Sequence, residues 1–127
     1  MFDAVFAALI ARLVAENPID AQHLDEYAGD LVDSYLERPE LVRLALWDRL
    51  ERGGAGMRSP ELLATDAAKA AAIADAQASG VVSTRFDAAE ALAIIIVVAS
   101  ILPLVLDDTS DARVREVVTT AVTRLLG

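Results

Sequence analysis

The chain has no cysteine among its 127 residues. Disulfides and thiolate metal sites are therefore excluded. Aromatic residues are scarce, at 5%, and there is a single tryptophan, Trp47, and a single histidine, His23. Positive charge is also in short supply: 11 Lys and Arg stand against 20 Asp and Glu, a net charge of −9. Naked nucleic acid repels such a segment, because DNA binding draws on clustered Lys and Arg. No phosphate loop, nucleophile elbow or paired carboxylates at a defined helical spacing stand out, so the sequence offers an enzyme nothing to work with. His23 lacks metal-ligating partners, since Asp20-x-x-His23 occurs once and a di-iron bundle needs Glu-x-x-His twice with further glutamates. No catalytic residue, metal site or cofactor is expected. No basic signal peptide leads the chain, and the expected location is the cytoplasm.

What is abundant is aliphatic side chain. Hydrophobic residues make up 55% of the sequence, dominated by alanine and leucine, with four prolines and six glycines set mostly between the apolar stretches. That composition, in one domain-sized chain, predicts an all-α, six-helix bundle-like single domain spanning residues 1–127. The first helix is expected over Phe2–Glu16, where Phe2, Val5, Phe6, Leu9, Ile10, Leu13 and Val14 recur at the helical period and Asn17-Pro18 ends the run. The second is expected over Asp20–Glu37, with Leu24, Tyr27, Ala28, Leu31, Val32 and Tyr35 as its apolar stripe. The third starts at Pro39 and reaches Arg52, with Leu41, Leu44, Ala45 and Trp47 turned inward.

"RGGAGMRS", Arg52–Ser59, reads as a flexible connector and as a gate to any cavity behind it. Ser59-Pro60 opens an alanine-rich fourth helix to Ser79, and Gly80 suits its C-terminal cap. Asp87 with Glu90 three residues on predicts a capping box for a fifth helix reaching Leu106. The turn Asp107–Ser110 then caps a sixth helix that runs to the end. Eight acids and one arginine, Arg38, lie between Glu16 and Glu40. They read first as a solvated helix face, and second as an acidic docking face.

The uncharged stretch "ALAIIIVVASILPLVL", Ala91–Leu106, is the most informative. Sixteen helical residues rise about 24 Å, short of the roughly 30 Å hydrocarbon core. The flanks are acidic (Asp87, Glu90, Asp107, Asp108) and Pro103 lies near the end. No membrane span is expected. A helix apolar all round needs cover all round. A second copy of the chain is the favoured cover, through a two-fold interface in which the last two helices of each chain form a four-helix bundle. The interface residues expected are Ile94, Val97, Val98, Ile101, Val105, Val114, Val118, Ala121, Val122 and Leu125. A helix wholly enclosed in a monomer is the alternative.

Three stretches resemble one family in order. "MFDAVFAALIARLVAENP" resembles the helix that follows the DNA-binding head of TetR-type (tetracycline-repressor-like) transcriptional regulators. "LVDSYLERPELVRLALWDRLERG" resembles the next two helices, and "AAIADAQASGVVSTRFDAAEALAIIIVVAS" the stretch that leads into the first dimerisation helix. No helix-turn-helix lies ahead of these stretches, so the resemblance is to the C-terminal effector-binding and dimerisation domain. It implies a homodimer and a small-molecule effector, apolar or amphipathic, held among the earlier helices. The candidate ligand-binding residues are Phe6, Ile10, Tyr27, Leu31, Tyr35, Leu44, Trp47, Met57, Ile73, Gln77 and Ile96. A free-standing helical protein-interaction module with an acidic face is the competing reading.

Overall fold

The structure, a computed structural model, describes residues 2–127, with side chains described from Ala4 onward. Among these residues there are six α-helices and no strand: α1 (Phe2–Glu16), α2 (Leu24–Glu37), α3 (Pro39–Arg52), α4 (Pro60–Ala78), α5 (Ala88–Val105) and α6 (Asp111–Leu126). A short 3₁₀ turn, Ala55–Met57, lies between α3 and α4.

The helix boundaries follow local chemistry. The Ser59 and Ser110 hydroxyls accept from the amides of Leu62 and Arg113 at the starts of α4 and α6. The expected capping box of α5 is present: Asp87 Oδ1 accepts from Glu90 N at 2.8 Å, and Glu90 Oε1 accepts from Asp87 N at 3.0 Å. The second helix begins four residues later than its acids suggest. Asp20 instead shapes a turn, accepting the Gln22 amide on Oδ1 and meeting His23 Nδ1 at 2.9 Å on Oδ2. A short acidic side chain that bonds its own backbone competes with helix formation.

The centre is a single core to which all six helices contribute, α3 through Leu41. α2 packs chiefly on α6 and then on α5, while α4 lies along α5. Val114, Val118, Val122 and Leu126 form the buried stripe of α6, and Ala91, Leu92, Ile95 and Ala99 that of α5. Gly29 lets α6 come close to α2. A Cβ there would lie 2.6 Å from the Arg115 guanidinium carbon, and that guanidinium bridges Asp30 and Asp33 of α2.

Three of the expected interface residues therefore need correction. Val114, Val118 and Val122 are fully buried in their own chain, because their spacing of four turns them under α2. Val98 is half-buried against the same core. On α5 the opposite face is open: Val97 is 56% and Val105 68% exposed, with Ile94 and Ile101 half-buried beside them. Ala121 and Leu125 lie on the flank of α6, with Leu125 exposed. By length and composition α5 could cross a membrane. Its buried stripe is instead the middle of a helical core, and its other face has no cover from within the described chain.

Candidate functional site

The connector between α3 and α4 is not slack. Asp48, fully buried at the inner side of α3, holds it. Its carboxylate accepts the Gly56 amide at 3.0 and 3.2 Å and meets Arg52 Nη1 at 3.3 Å. Its main-chain carbonyl takes the amides of Gly53 and Gly54. Gly53 and Gly54 have φ of 64° and 80°, the left-handed turn that ends α3. Gly56 has no room for a side chain: a Cβ would lie 2.8 Å from Phe6 Cδ2 and 2.9 Å from Asp48 Oδ1. The loop is pinned between α1 and α3, which corrects its reading as a flexible connector.

The pinned loop closes one wall of a cavity of about 290 Å³. The volume is near the lower end of the roughly 300–1,000 Å³ usual for small-molecule sites. α1 contributes Ile10, Leu13 and Val14, α2 contributes Tyr27, Leu31 and Tyr35, and the loop contributes Gly54, Met57 and Arg58. α4 adds Leu62, Leu63, Asp66 and Lys69, with Ile96 from α5 and Arg49 from α3. Six of the eleven expected ligand residues meet here: Ile10, Tyr27, Leu31, Tyr35, Met57 and Ile96.

The other five lie elsewhere, each for a local reason. Trp47 is 47% exposed, because α3 buries Leu41, Val42 and Asp48 and so turns Trp47 outward. Leu44 is half-buried against the core, away from the cavity lining. Phe6 is buried beneath Gly56. Ile73 is enclosed in the core of α4. The Gln77 side-chain amide donates to the carbonyls of Ser83 and Phe86, at 3.1 and 2.7 Å, and ties the end of α4 to the loop before α5.

The charged wall was not anticipated. Lys69 is only 8% exposed, and its ammonium donates to the Tyr27 hydroxyl at 2.7 Å. Burial lowers the Lys69 pKa, with nearby Asp66 opposing the shift. Burial raises the Asp66 carboxyl in turn, with Lys69 opposing. The two phenols are also shifted by desolvation: Tyr35 is pushed up to about 12, and Tyr27 is raised with help from Tyr35 and Asp66. A signal for Lys69 exists in the sequence. Leu62, Lys69, Ile73 and Ala76 are spaced by seven, four and three, a single helical stripe, and these are the buried residues of α4.

Arg49, Asp66 and Ile96 also border a groove of about 420 Å³ between α4 and α5. Ala67, Ala70, Ala89 and Ala93 line it, and their small side chains leave the space open. Among the described residues no group of three or more His, Cys, Asp or Glu side chains converges as a metal site would.

The sequence and the fold are similar to those of known proteins. Residues 23–124 match the family described as the tetracyclin repressor-like, C-terminal domain. The chain is 28% identical over 101 residues to the HTH-type transcriptional repressor SCO4008 of Streptomyces coelicolor, which covers 79% of this chain and 53% of that protein. It thus spans about half the length of that curated relative. The crystal structure of SCO4942, a protein of Streptomyces coelicolor described as a transcriptional regulator, superposes with a TM-score of 0.80 at 28% identity, over 97% of this chain and 70% of that one. With most of its length inside the family match, the chain belongs to the tetracycline-repressor-like C-terminal domains of transcriptional regulators.

Proposed function

We propose that this chain is the effector-binding and dimerisation domain of a TetR-type regulator, acting in the cytoplasm and responding to a small apolar or amphipathic molecule. The observation that carries the reading is the cavity. Five helices and a pinned loop converge on it, its walls are mostly aliphatic and aromatic, and a few polar groups cluster on them. Such a site senses by binding one arrangement of its walls better than another. α1 contributes three wall residues, so a ligand that prefers one position of α1 shifts that helix. The family places the DNA-binding head ahead of α1.

The second half of the proposal is a homodimer. The uncovered face of α5, with Ile94, Val97, Ile101 and Val105, meets its copy, joined by Ala121 and Leu125 of α6. Aliphatic exposure of this extent on one helix face supports a protein contact. The acidic segment favours the competing interaction module less. Glu16 pairs with Arg38 and Arg12, Asp20 with His23, and Asp30 and Asp33 with Arg115, so much of that charge is engaged within the chain. Nothing in the arrangement calls for catalysis, and nucleic-acid contact belongs to the head rather than to a segment of net charge −9.

A thermal-shift screen of a small-molecule library tests the cavity, because a ligand of the folded state raises its melting point. Hits that stabilise the natural chain but not Ile96→Trp, which fills the cavity, are expected. Hits that stabilise both equally, or no hits at all, would count against the reading.

A further inference from the structure

The cavity is lopsided in charge. The chain as a whole is strongly acidic, yet three of the four charged side chains on this wall are cations: Arg49, Arg58 and Lys69 against Asp66. Lys69 is the deepest of them. An ammonium has three donors, and among the described residues this one makes a single hydrogen bond, to Tyr27. No carboxylate lies within ion-pair distance of it, although burying a charge without a partner is costly. Arg58 spends one Nη on the Gly53 carbonyl at 2.7 Å. Arg49 makes no hydrogen bond or ion pair among the described residues, and its guanidinium lies against Gly54 at the same wall. Away from the cations, Ile10, Leu13, Leu31, Leu62 and Ile96 supply aliphatic surface.

We infer that the cavity takes an amphipathic anion, a small carboxylate with an apolar tail, whose head group sits against the Lys69 ammonium and the Tyr27 hydroxyl. This rests on the proposal that the cavity is the effector site, and it narrows the effector to one charge class. The carboxylate accepts from the two free ammonium donors and supplies a counter-charge at ion-pair distance, closer than Asp66 comes. The aliphatic walls take the tail. A cationic ligand would meet three like charges and one carboxylate, and a neutral one could accept a hydrogen bond from Lys69 but would bring no counter-charge.

Calorimetric titration of the chain with octanoate, octanol and octylammonium, equal in tail and different in head, tests the inference. Octanoate is expected to bind at least ten-fold tighter than octanol, and octylammonium weaker than both. Lys69→Met is expected to bring octanoate down to the affinity of octanol while octanol itself changes less than two-fold. Equal affinity for the three, or preference for octylammonium, overturns the charge class and leaves the effector cavity standing. Failure of all three, or octanoate binding undiminished in Ile96→Trp, overturns the cavity reading and the inference with it. Should Lys69→Met not fold, the ranking of the three heads on the unaltered chain decides.

Discussion

Replacing Asp48 by alanine should remove about 2–3 kcal/mol of folding stability, although Asp48 touches neither the proposed ligand nor the proposed partner. The carboxylate accepts the Gly56 amide on both oxygens and is fully buried, and Gly56 is buried too. Removing it leaves a buried N–H without an acceptor, at about 1–3 kcal/mol, and forfeits a charge-assisted bond of about 1.5–3 kcal/mol. These overlap, and relief from burying a carboxylate offsets part of them. With an unfolding entropy of about 2.1 cal/mol/K per residue, 127 residues give roughly 0.27 kcal/mol/K. The loss then appears as a fall of about 7–11 °C in Tm. Gly56→Ala alone should cost about 1–3 kcal/mol by overpacking, since its Cβ would collide with Phe6 and Asp48. In the double variant the methyl enters space vacated by the carboxylate, so the two costs should fall short of their sum by about 1 kcal/mol. Calorimetric melts at one protein concentration measure all three variants. A drop of less than about 2 °C for Asp48→Ala, or strict additivity, would refute the view that this carboxylate pins the loop.

Changing Ile94 and Val97 together to Glu should convert a two-chain species to one chain in sedimentation equilibrium; a mass that stays at two chains removes the α5 face from the interface. Tyr35 links folding to alkaline pH. Its folded pKa of about 12 lies above the ordinary 10, so the folded state holds the proton longer, and stability complete below pH 10 is lost between 10 and 12. Tyr35→Phe should flatten that loss by about 2–3 kcal/mol in urea melts; an unchanged slope would mean that the phenol is not buried. Glu16 is held below the usual carboxylate range mainly by its hydrogen bonds to Arg38, so its contribution is present above the ordinary value of 4.5 and fades as pH falls through the lowered one. Glu16→Gln should shrink the acid fall in Tm between pH 5 and 3, and identical acid limbs would discount the pair. Gly53→Ala should cost about 1–2 kcal/mol from its positive φ alone, since no atom lies within 4 Å of the added Cβ; a neutral melt would show the turn relaxing.

The parts of the fold that depend on neighbours in sequence were readable in advance. Pro39, Ser59-Pro60 and the Asp87/Glu90 pair each act within one turn, and the helices begin where they stand. Reading failed where a residue had two options. Asp20 could serve the helix or its own turn, and it serves the turn. Trp47 is large and apolar, yet on α3 the inward position belongs to Asp48, which the loop needs as an acceptor. Cavity residues were found where an aliphatic or aromatic stripe announced them. Lys69, Arg49 and Arg58 were missed because a charged side chain defaults to the surface. Only the register of Lys69 with Leu62 and Ile73 argues otherwise. The face of α6 was misjudged because a valine stripe shows that something is buried, not which neighbour buries it.

Ile96 and Val97 are consecutive residues on α5, one against the cavity and the next turned away from the core. A rigid helix cannot shift one without the other. The proposed effector and the proposed twin chain therefore lean on neighbouring faces of a single lever. By thermodynamic reciprocity, whatever factor pairing adds to effector affinity, the effector must return to pairing. Dilution should then change the grip on the ligand, and a saturating ligand should move the concentration at which the pair parts by the same factor and in the matching sense.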